Sequence, residues 1–255
     1  METLQDTAAV VIGGGSGLGE ATARRLGAAG ARVAVVDLAA DRAAEVAAGI
    51  AGATAHTADV SSPDGLADAL AEAREAHGSP RLGVVTSGIG PPQRILGKAG
   101  PADLSWFETT IRVNLIGSFN ALRLFAASMA DNDPDEGGER GAIVMTASIA
   151  AYEGQIGQAA YAASKGGVVG LTLPAARDLA RNGIRVNTIA PGLMDTPLLA
   201  SLPEDARKEL AADVVFPPRL GLPEEYAELV VFAATSAYLN GEVIRLDGAL
   251  RMKPR

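Results

Sequence analysis

The sequence contains no cysteine, which excludes disulfides, thiolate catalysis and cysteine-based zinc sites. Basic residues are in deficit, 22 Lys and Arg against 30 Asp and Glu for a net charge of -8. Clustered positive charge is what neutralises phosphates, so nucleic acid is not an expected partner. No run approaches the roughly 18 consecutive apolar residues of a membrane span, and Ala8–Ile12 is too short for the apolar region of a signal peptide. The expectation is a soluble cytoplasmic protein with no membrane or targeting segment. Histidine occurs only twice; neither His56 nor His77 has a second ligand at metal spacing, so both read as surface residues and no metal site is expected. Aromatic residues make up 4% of the chain against 48% apolar residues in all, the composition of a globular protein built from Ala, Gly, Val and Leu.

What is present is a regular alternation along 255 residues, a length that one α/β domain can hold. Short β-branched runs predict strands at Ala8–Ile12, Arg32–Asp37, Thr54–Asp59, Leu82–Thr86, Ala142–Thr146, Ile184–Ala190 and Glu242–Leu246. Ala-rich stretches predict helices over Gly17–Ala29, Arg42–Ala51, Pro63–Ala76, Ala102–Ala130, Gln158–Arg181 and Pro223–Ala234. Such alternation implies right-handed crossovers and a doubly wound, seven-stranded parallel sheet of Rossmann type with helices on both faces. Asp131–Gly141, rich in charge and glycine, reads as a solvated loop, and Leu193–Pro218 as a small helical lid over the carboxyl ends of the strands.

The first predicted strand runs into Gly13-Gly14-Gly15-Ser16-Gly17-Leu18-Gly19 and then a helix. Glycines let the backbone approach a pyrophosphate, whose charge suits the N–H groups of a helix N-terminus. The second strand ends in Asp37, where a carboxylate accepts hydrogen bonds from ribose hydroxyls and repels an added phosphate; turn and carboxylate together favour NAD over NADP.

Tyr161 and Lys165 are four apart on one predicted helix and share a face. An ordinary phenol titrates near about 10, too high for a base at neutral pH, and a neighbouring ammonium favours the phenolate. Ser148, just after the fifth strand, supplies a hydroxyl that can hold a reacting oxygen beside that phenol.

At these residues the chain resembles the short-chain dehydrogenase/reductase family over nearly its whole length. The glycine turn, Asp37, Asp59-Val60, Asn114, Ser148, Tyr161, Lys165 and Pro191-Gly192 stand in family order and spacing. Within that family it is similar to the type 2 3-hydroxyacyl-CoA dehydrogenases, which also act on hydroxysteroids, through NDPDEGGERG, TASIAAYEGQIGQAAYAASKGGVVGLTLPAARDLA, TIAPGL followed by TPLL, and NGEVIRLDGALRM. The resemblance implies an NAD-dependent oxidoreductase interconverting a 3-hydroxyacyl-CoA and its 3-oxo counterpart. Tyr161 would exchange the proton of the substrate hydroxyl, Ser148 would orient that oxygen, Lys165 would also bind the nicotinamide ribose, and Asn114 would hold a water linking Lys165 to solvent. Gly13, Ser16, Gly17, Leu18 and Gly19 would contact the cofactor in the turn. Asp59 and Val60 would hold adenine, Thr86 and Met194 would lie along the ribose and nicotinamide end, and Gln155 would line the acyl pocket.

The family usually has Thr before the first glycine of the turn and an Asn-x-Ala-Gly motif after the fourth strand; Ile12 and Val85-Thr86-Ser87-Gly88 occupy those places. Loss of both members of a buried polar set can be nearly neutral, whereas loss of one strands the other, so a compensated apolar swap is expected. Arg94, Lys98, Arg207 and Lys208 flank the predicted pocket mouth, as ordinary surface charges or as contacts to CoA phosphates. Trp106 and Phe107 read as core or subunit contacts. Family members of this kind pair the two long helices into tetramers, and Ala162, Ala163 and Gly166 would allow close approach.

Three alternatives stay open. An NADPH-dependent 3-oxoacyl carrier-protein reductase is disfavoured by Asp37 and the acidic net charge, and a hydroxysteroid dehydrogenase is not separated by sequence. A non-catalytic nucleotide-binding scaffold would not need Asn114, Ser148, Tyr161 and Lys165 together.

Overall fold

Successive residues of a strand point to opposite faces of a sheet, and here that alternation builds two cores. The computed structural model describes residues 1, 3–200 and 204–254. In chain order the elements are β1 (Ala8–Ile12), α1 (Gly17–Ala28), β2 (Arg32–Asp37), α2 (Ala40–Ala48), β3 (Thr54–Thr57), α3 (Pro63–His77), β4 (Leu82–Val85) and α4 (Leu104–Ile111). A π-helical turn (Arg112–Ile116) continues α4 into α5 (Gly117–Ala130). There follow β5 (Gly141–Thr146), α6 (Ala150–Glu153), α7 (Ala159–Leu179), β6 (Ile184–Pro191), α8 (Pro197–Ala200), α9 (Glu204–Ala212), α10 (Pro223–Thr235) and β7 (Val243–Leu246). A two-residue hairpin, Leu96–Gly97 against Gly100–Pro101, lies between β4 and α4.

The sheet has seven parallel strands in the order β3-β2-β1-β4-β5-β6-β7. On one face Ala9, Val11, Val33, Val35, Val84 and Val144 pack with Ala23 and Leu26 of α1, Val46 of α2 and Tyr226 and Val230 of α10. On the other, Val10, Ile12, Ala34, Val36, Ile143 and Met145 meet Leu66 of α3, Phe125 of α5 and Val168 of α7. Both faces are thus covered, which is why the strands read as continuous apolar runs. The predicted lid falls on α8, α9 and the segment after them, and its residues 201–203 lie outside the described residues.

Two expectations are corrected. The histidines are buried: the Thr54 hydroxyl meets His56 Nε2 at 2.8 Å and His77 Nε2 at 2.8 Å, and His56 Nδ1 lies 3.1 Å from Glu72. One hydroxyl can donate to one ring and accept from the other, so this polar chain satisfies itself beneath the edge strand. The Asp131–Gly141 segment is only partly solvated, because Glu139 is buried against Arg185 at 3.0 Å. The remaining Arg185 donors reach the carbonyls of Ala233, Ala234 and Leu239; a guanidinium with five donors is held inside the protein only by such a full set of acceptors.

Ile12 and Val85 are direct partners in the β1–β4 register and sit in one apolar cluster. The strand-end carbonyls beside them are served by other groups: Thr86 Oγ1 donates to Ile12 O at 3.0 Å and Gly13 O at 3.1 Å, and Thr146 Oγ1 to Val85 O at 2.6 Å. In chemical denaturation Ile12→Thr and Val85→Asn should each destabilise by about 1–3 kcal/mol, the cost of a buried polar group without its partner. A single reversion that raised stability would disprove the compensated swap. Burial, Arg32 and His56 hold the His77 pKa below its ordinary value of 6.5. The depressed pKa means that the unfolded chain takes up a proton the folded one resists, so stability is complete above that ordinary value and declines as pH falls from it toward the folded pKa. Stability against pH should lose part of this acid limb in His77→Gln, and an unchanged limb would place the titration elsewhere.

Candidate active site

Crossovers leave β1 and β4 for opposite faces of the sheet, so their carboxyl ends open a crevice. The cleft there encloses about 460 Å³ and is lined by Gly13, Ser16, Gly17, Leu18, Gly19, Asp37, Asp59, Val60, Thr86, Tyr161 and Lys165. Two glycines are required by geometry. Gly13 has φ of +82°, and a Cβ at Gly19 would stand 1.9 Å from Gly13 O. The first turn of α1 faces the cleft with N–H groups that have no intrahelical acceptor. The Asp37 carboxylate is fixed at the other wall by Gly15 N at 2.9 Å and Ala39 N at 3.0 Å, and each of its oxygens keeps a lone pair for a further donor. Ser87 also lines the cleft, and its Oγ is buried without a hydrogen-bond partner. Close backbone, free N–H groups, an aimed carboxylate and an orphaned hydroxyl fit a dinucleotide.

Met194 is the exception among the expected contacts. Its side chain packs into the apolar layer under α10 and lines a separate recess with Leu193 and Val214, while its backbone bridges Gly221. A Cβ at Gly221 would lie 2.5 Å from its sulfur, so that close approach holds the thioether away from the cleft. Thr196 and Pro197 form this part of the wall instead. Thr86 lines the cleft, but its hydroxyl is tied to the carbonyls of Ile12 and Gly13.

The loop after β5 brings Ser148 under Tyr161 of α7. The Ser148 side chain, beside the phenol, opposes the upward push that burial gives the Tyr161 pKa. One turn on, Lys165 Nζ donates to Thr146 O at 2.8 Å and stands 5.8 Å from the centre of the Tyr161 ring. Burial pushes Lys165 down to about 8, which still leaves it mostly protonated at neutral pH. The expected lowering of the phenol by lysine is not seen: burial dominates, opposed only by Ser148, and the Tyr161 pKa is raised.

Asn114 lies on the π-helical turn and is wholly buried. Its Oδ1 accepts from Ile89 N at 2.8 Å, while Nδ2 donates to Ile89 O at 2.8 Å and to Ser164 Oγ at 2.9 Å. This two-way bond pins the 88–90 loop as a neighbouring strand would. A Cβ at Gly88 would come within 3.3 Å of both Asn114 Oδ1 and Lys165 Nζ, and one at Gly90 within 3.1 Å of the Tyr161 ring. Ser87, Gly88, Gly90, Thr196 and Pro197 also line the cleft; of these only Ser87 carried a signal in the sequence, as a departure from the Asn-x-Ala-Gly pattern.

Gln155 lies apart from the cleft, in a recess of about 380 Å³ shared with Arg94, Ile95 and Gln158. Of the four cations expected at the pocket mouth, Arg207 pairs with Asp195 at 2.6 Å and Lys208 with Glu204 at 2.8 Å. Arg94 and Lys98 have no ion pair among the described residues. A larger cavity, about 660 Å³, opens at the amino ends of the central strands around Arg81, Asp135, Glu139 and Arg185, where Glu139 pairs with Arg185 and both acids pair with the Met1 amine. Among the described residues no group of three or more His, Asp or Glu is placed to hold a metal ion, and no helix is long and apolar enough to cross a membrane.

The family model for short chain dehydrogenases matches residues 7–207. The 3-hydroxyacyl-CoA dehydrogenase type-2 of Bos taurus is 51% identical over 249 residues, 96% of this chain and 95% of that protein. The acetoacetyl-CoA reductase of Synechocystis is 34% identical over 249 residues, 96% of this chain and 97% of that protein. A crystal structure of 3-hydroxyacyl-CoA dehydrogenase type-2 from Mycobacterium avium superposes with a TM-score of 0.94 at 50% identity, covering 98% of each chain. With the cleft of a nicotinamide dinucleotide enzyme and a family match over most of its length, the chain belongs to the short-chain dehydrogenases and is an oxidoreductase.

Proposed function

We propose that the protein is an NAD-dependent dehydrogenase that interconverts a secondary alcohol and a ketone, with a 3-hydroxyacyl-CoA and its 3-oxo form as the substrate pair. The observation that carries this reading is that Tyr161 and Lys165 line the same cleft as the glycine turn and Asp37, with Ser148 beside the phenol. Held by the glycine turn, Asp37 and Lys165, NAD+ would supply the hydride acceptor and a positive charge beside the phenol. Tyr161 then takes the hydroxyl proton of the alcohol. Ser148 donates a hydrogen bond to the same oxygen and holds it against the phenol. The Lys165 ammonium, kept close by Thr146 O, stabilises the phenolate and is the group placed to reach the nicotinamide ribose. Asn114 places the 88–90 loop against both; the remaining lone pair of its Oδ1, on the side of Lys165, is where a relay water would bind. Asp37 supports NAD over NADP because a second phosphate at that ribose would meet its charge.

CoA is supported by Arg94, a cation without an ion pair among the described residues that lines the Gln155 recess, in an otherwise acidic chain. A panel of 3-hydroxyacyl-CoA thioesters and hydroxysteroids, assayed with NAD+ and NADP+, should show the highest kcat/KM for the thioesters with NAD+. Tyr161→Phe should lower that rate by at least about 10²-fold, the scale of a lost acid/base, with dinucleotide binding kept. Arg94→Ala should raise KM for the thioesters alone. Turnover by Tyr161→Phe at the parent rate would end the mechanism, and a preference for steroids would replace the substrate.

The same reading makes the protein a homotetramer. Ile116 on the π-helical turn, Phe119 of α5 and Leu173 of α7 are exposed, and a Cβ at Gly170 would meet nothing within 4 Å, so the long helices offer a flat apolar face without a partner. Sedimentation equilibrium should give the mass of four chains, falling in Phe119→Glu; a monomeric parent would refute it.

A further inference from the structure

Beyond β7 the chain turns back between the segment that follows Ser148 and the segment after α9, and three independent kinds of contact hold it there. Leu250 is buried in a small apolar cluster with Ile149, the neighbour of Ser148, and with Val214 just after α9; Leu193 and Met252 pack against it. Two backbone carbonyls of the tail then serve the loop between β5 and α7. Pro254 O accepts from Ile156 N at 3.0 Å, and Lys253 O from Gln155 Nε2 at 3.1 Å. On its other side the Lys253 ammonium is hydrogen-bonded and ion-paired to Asp213. Arg245 of β7 reinforces the base of this arrangement with a bidentate pair to Glu153, both contacts at 2.8 Å, and a contact to Asp247 at 2.7 Å. The tail also lies tight against the segment after α9: Phe216 N donates to Gly248 O at 3.1 Å, and a Cβ at Gly248 would stand 2.5 Å from Val214 Cγ1.

Ile149 and Gln155 belong to the wall that carries Ser148, whereas Asp213 and Val214 belong to the wall that follows α9. No hydrogen bond among the described residues joins Gln155 or Ile156 directly to Asp213 or Val214; the tail makes the bond to each. We propose that residues 250–254 form a strap that fixes the spacing of these two walls, with Lys253 and Leu250 as positioning residues for the substrate and not for the dinucleotide. The cleft lined by Gly13, Asp37 and Lys165 contains no residue of the strap, so the two binding events respond differently to its loss. The inference rests on the reading of the Ser148–Gln155 side as the substrate wall, and it holds for any alcohol that reaches Ser148.

The test uses the full-length protein with Lys253→Ala, Lys253→Arg, the charge swap Lys253→Asp with Asp213→Lys, and a chain ending at Arg251. Two readouts are taken. Hydrogen exchange without ligands, which needs no substrate, should show faster exchange at Ile156 in the shortened chain and no change in the glycine turn. Steady-state kinetics with the best alcohol from the panel should show KM raised roughly three- to fivefold by Lys253→Ala, the scale of one partly exposed ion pair. In the same variant kcat and the dinucleotide Kd should stay within about twofold, with KM recovered by Lys253→Arg and by the swap. Unchanged exchange at Ile156 overturns the strap as a structural link. Changed exchange with unchanged KM overturns its part in substrate positioning, and a parallel loss of dinucleotide affinity would show a general loosening instead. A parent protein that oxidises no thioester defeats the CoA reading alone, because the exchange readout and the panel's other alcohols still decide the strap.

Discussion

The pairing of β1 with β4 is the constraint on which the rest of the molecule depends. Because these strands are adjacent but non-consecutive, the chain leaves them in opposite directions and the glycine turn faces the 86–90 loop across open space. Everything chemical is referred to that gap. The Thr86 hydroxyl closes its floor from one strand to the other, Asn114 fixes its far loop, and Ser148, Tyr161 and Lys165 enter from the next strand along. The apolar contact of Ile12 with Val85 is the packed base of this joint, and its polar requirements are met one residue further on, by hydroxyls that can rotate to their acceptors.

The fold was largely readable because each signal was local. A four- to eight-residue β-branched run between helical stretches specifies a buried parallel strand without reference to anything distant, and all seven runs formed strands. Tyr161 and Lys165 were readable for the same reason, since their spacing is a property of one helix. The departures came where a partner is far away in the chain. His77 is held by Thr54, 23 residues earlier, and Glu139 by Arg185, 46 residues later; a charged or titratable residue in a polar stretch looks solvated until that partner is known. Met194 turns from the cleft for a related reason, because its side-chain direction is set by the lack of a side chain at Gly221.

The electrostatics of Tyr161 and Lys165 also show what sequence spacing leaves out. Four residues on a helix place an ammonium near a phenol, but they say nothing about how dry both groups are. Here dryness is the larger effect, raising Tyr161 and lowering Lys165. Two groups with displaced pKa values beside one hydroxyl form a site prepared for a charged ligand, in which added positive charge would shift the phenol back toward ionisation.

The π-helical turn at Arg112–Ile116 has a bearing on how this chain can change in evolution. Its Gly117 N–H reaches back five residues to Arg112 O, so one extra residue is accommodated between α4 and α5, and each residue of a helix turns the chain by about 100°. Removing a single residue there would restore a regular helix and rotate Phe125 relative to Asn114, taking one from the core or the other from the 88–90 loop. Substitution can explore this helix one side chain at a time, whereas its length is locked to the placement of a catalytic loop.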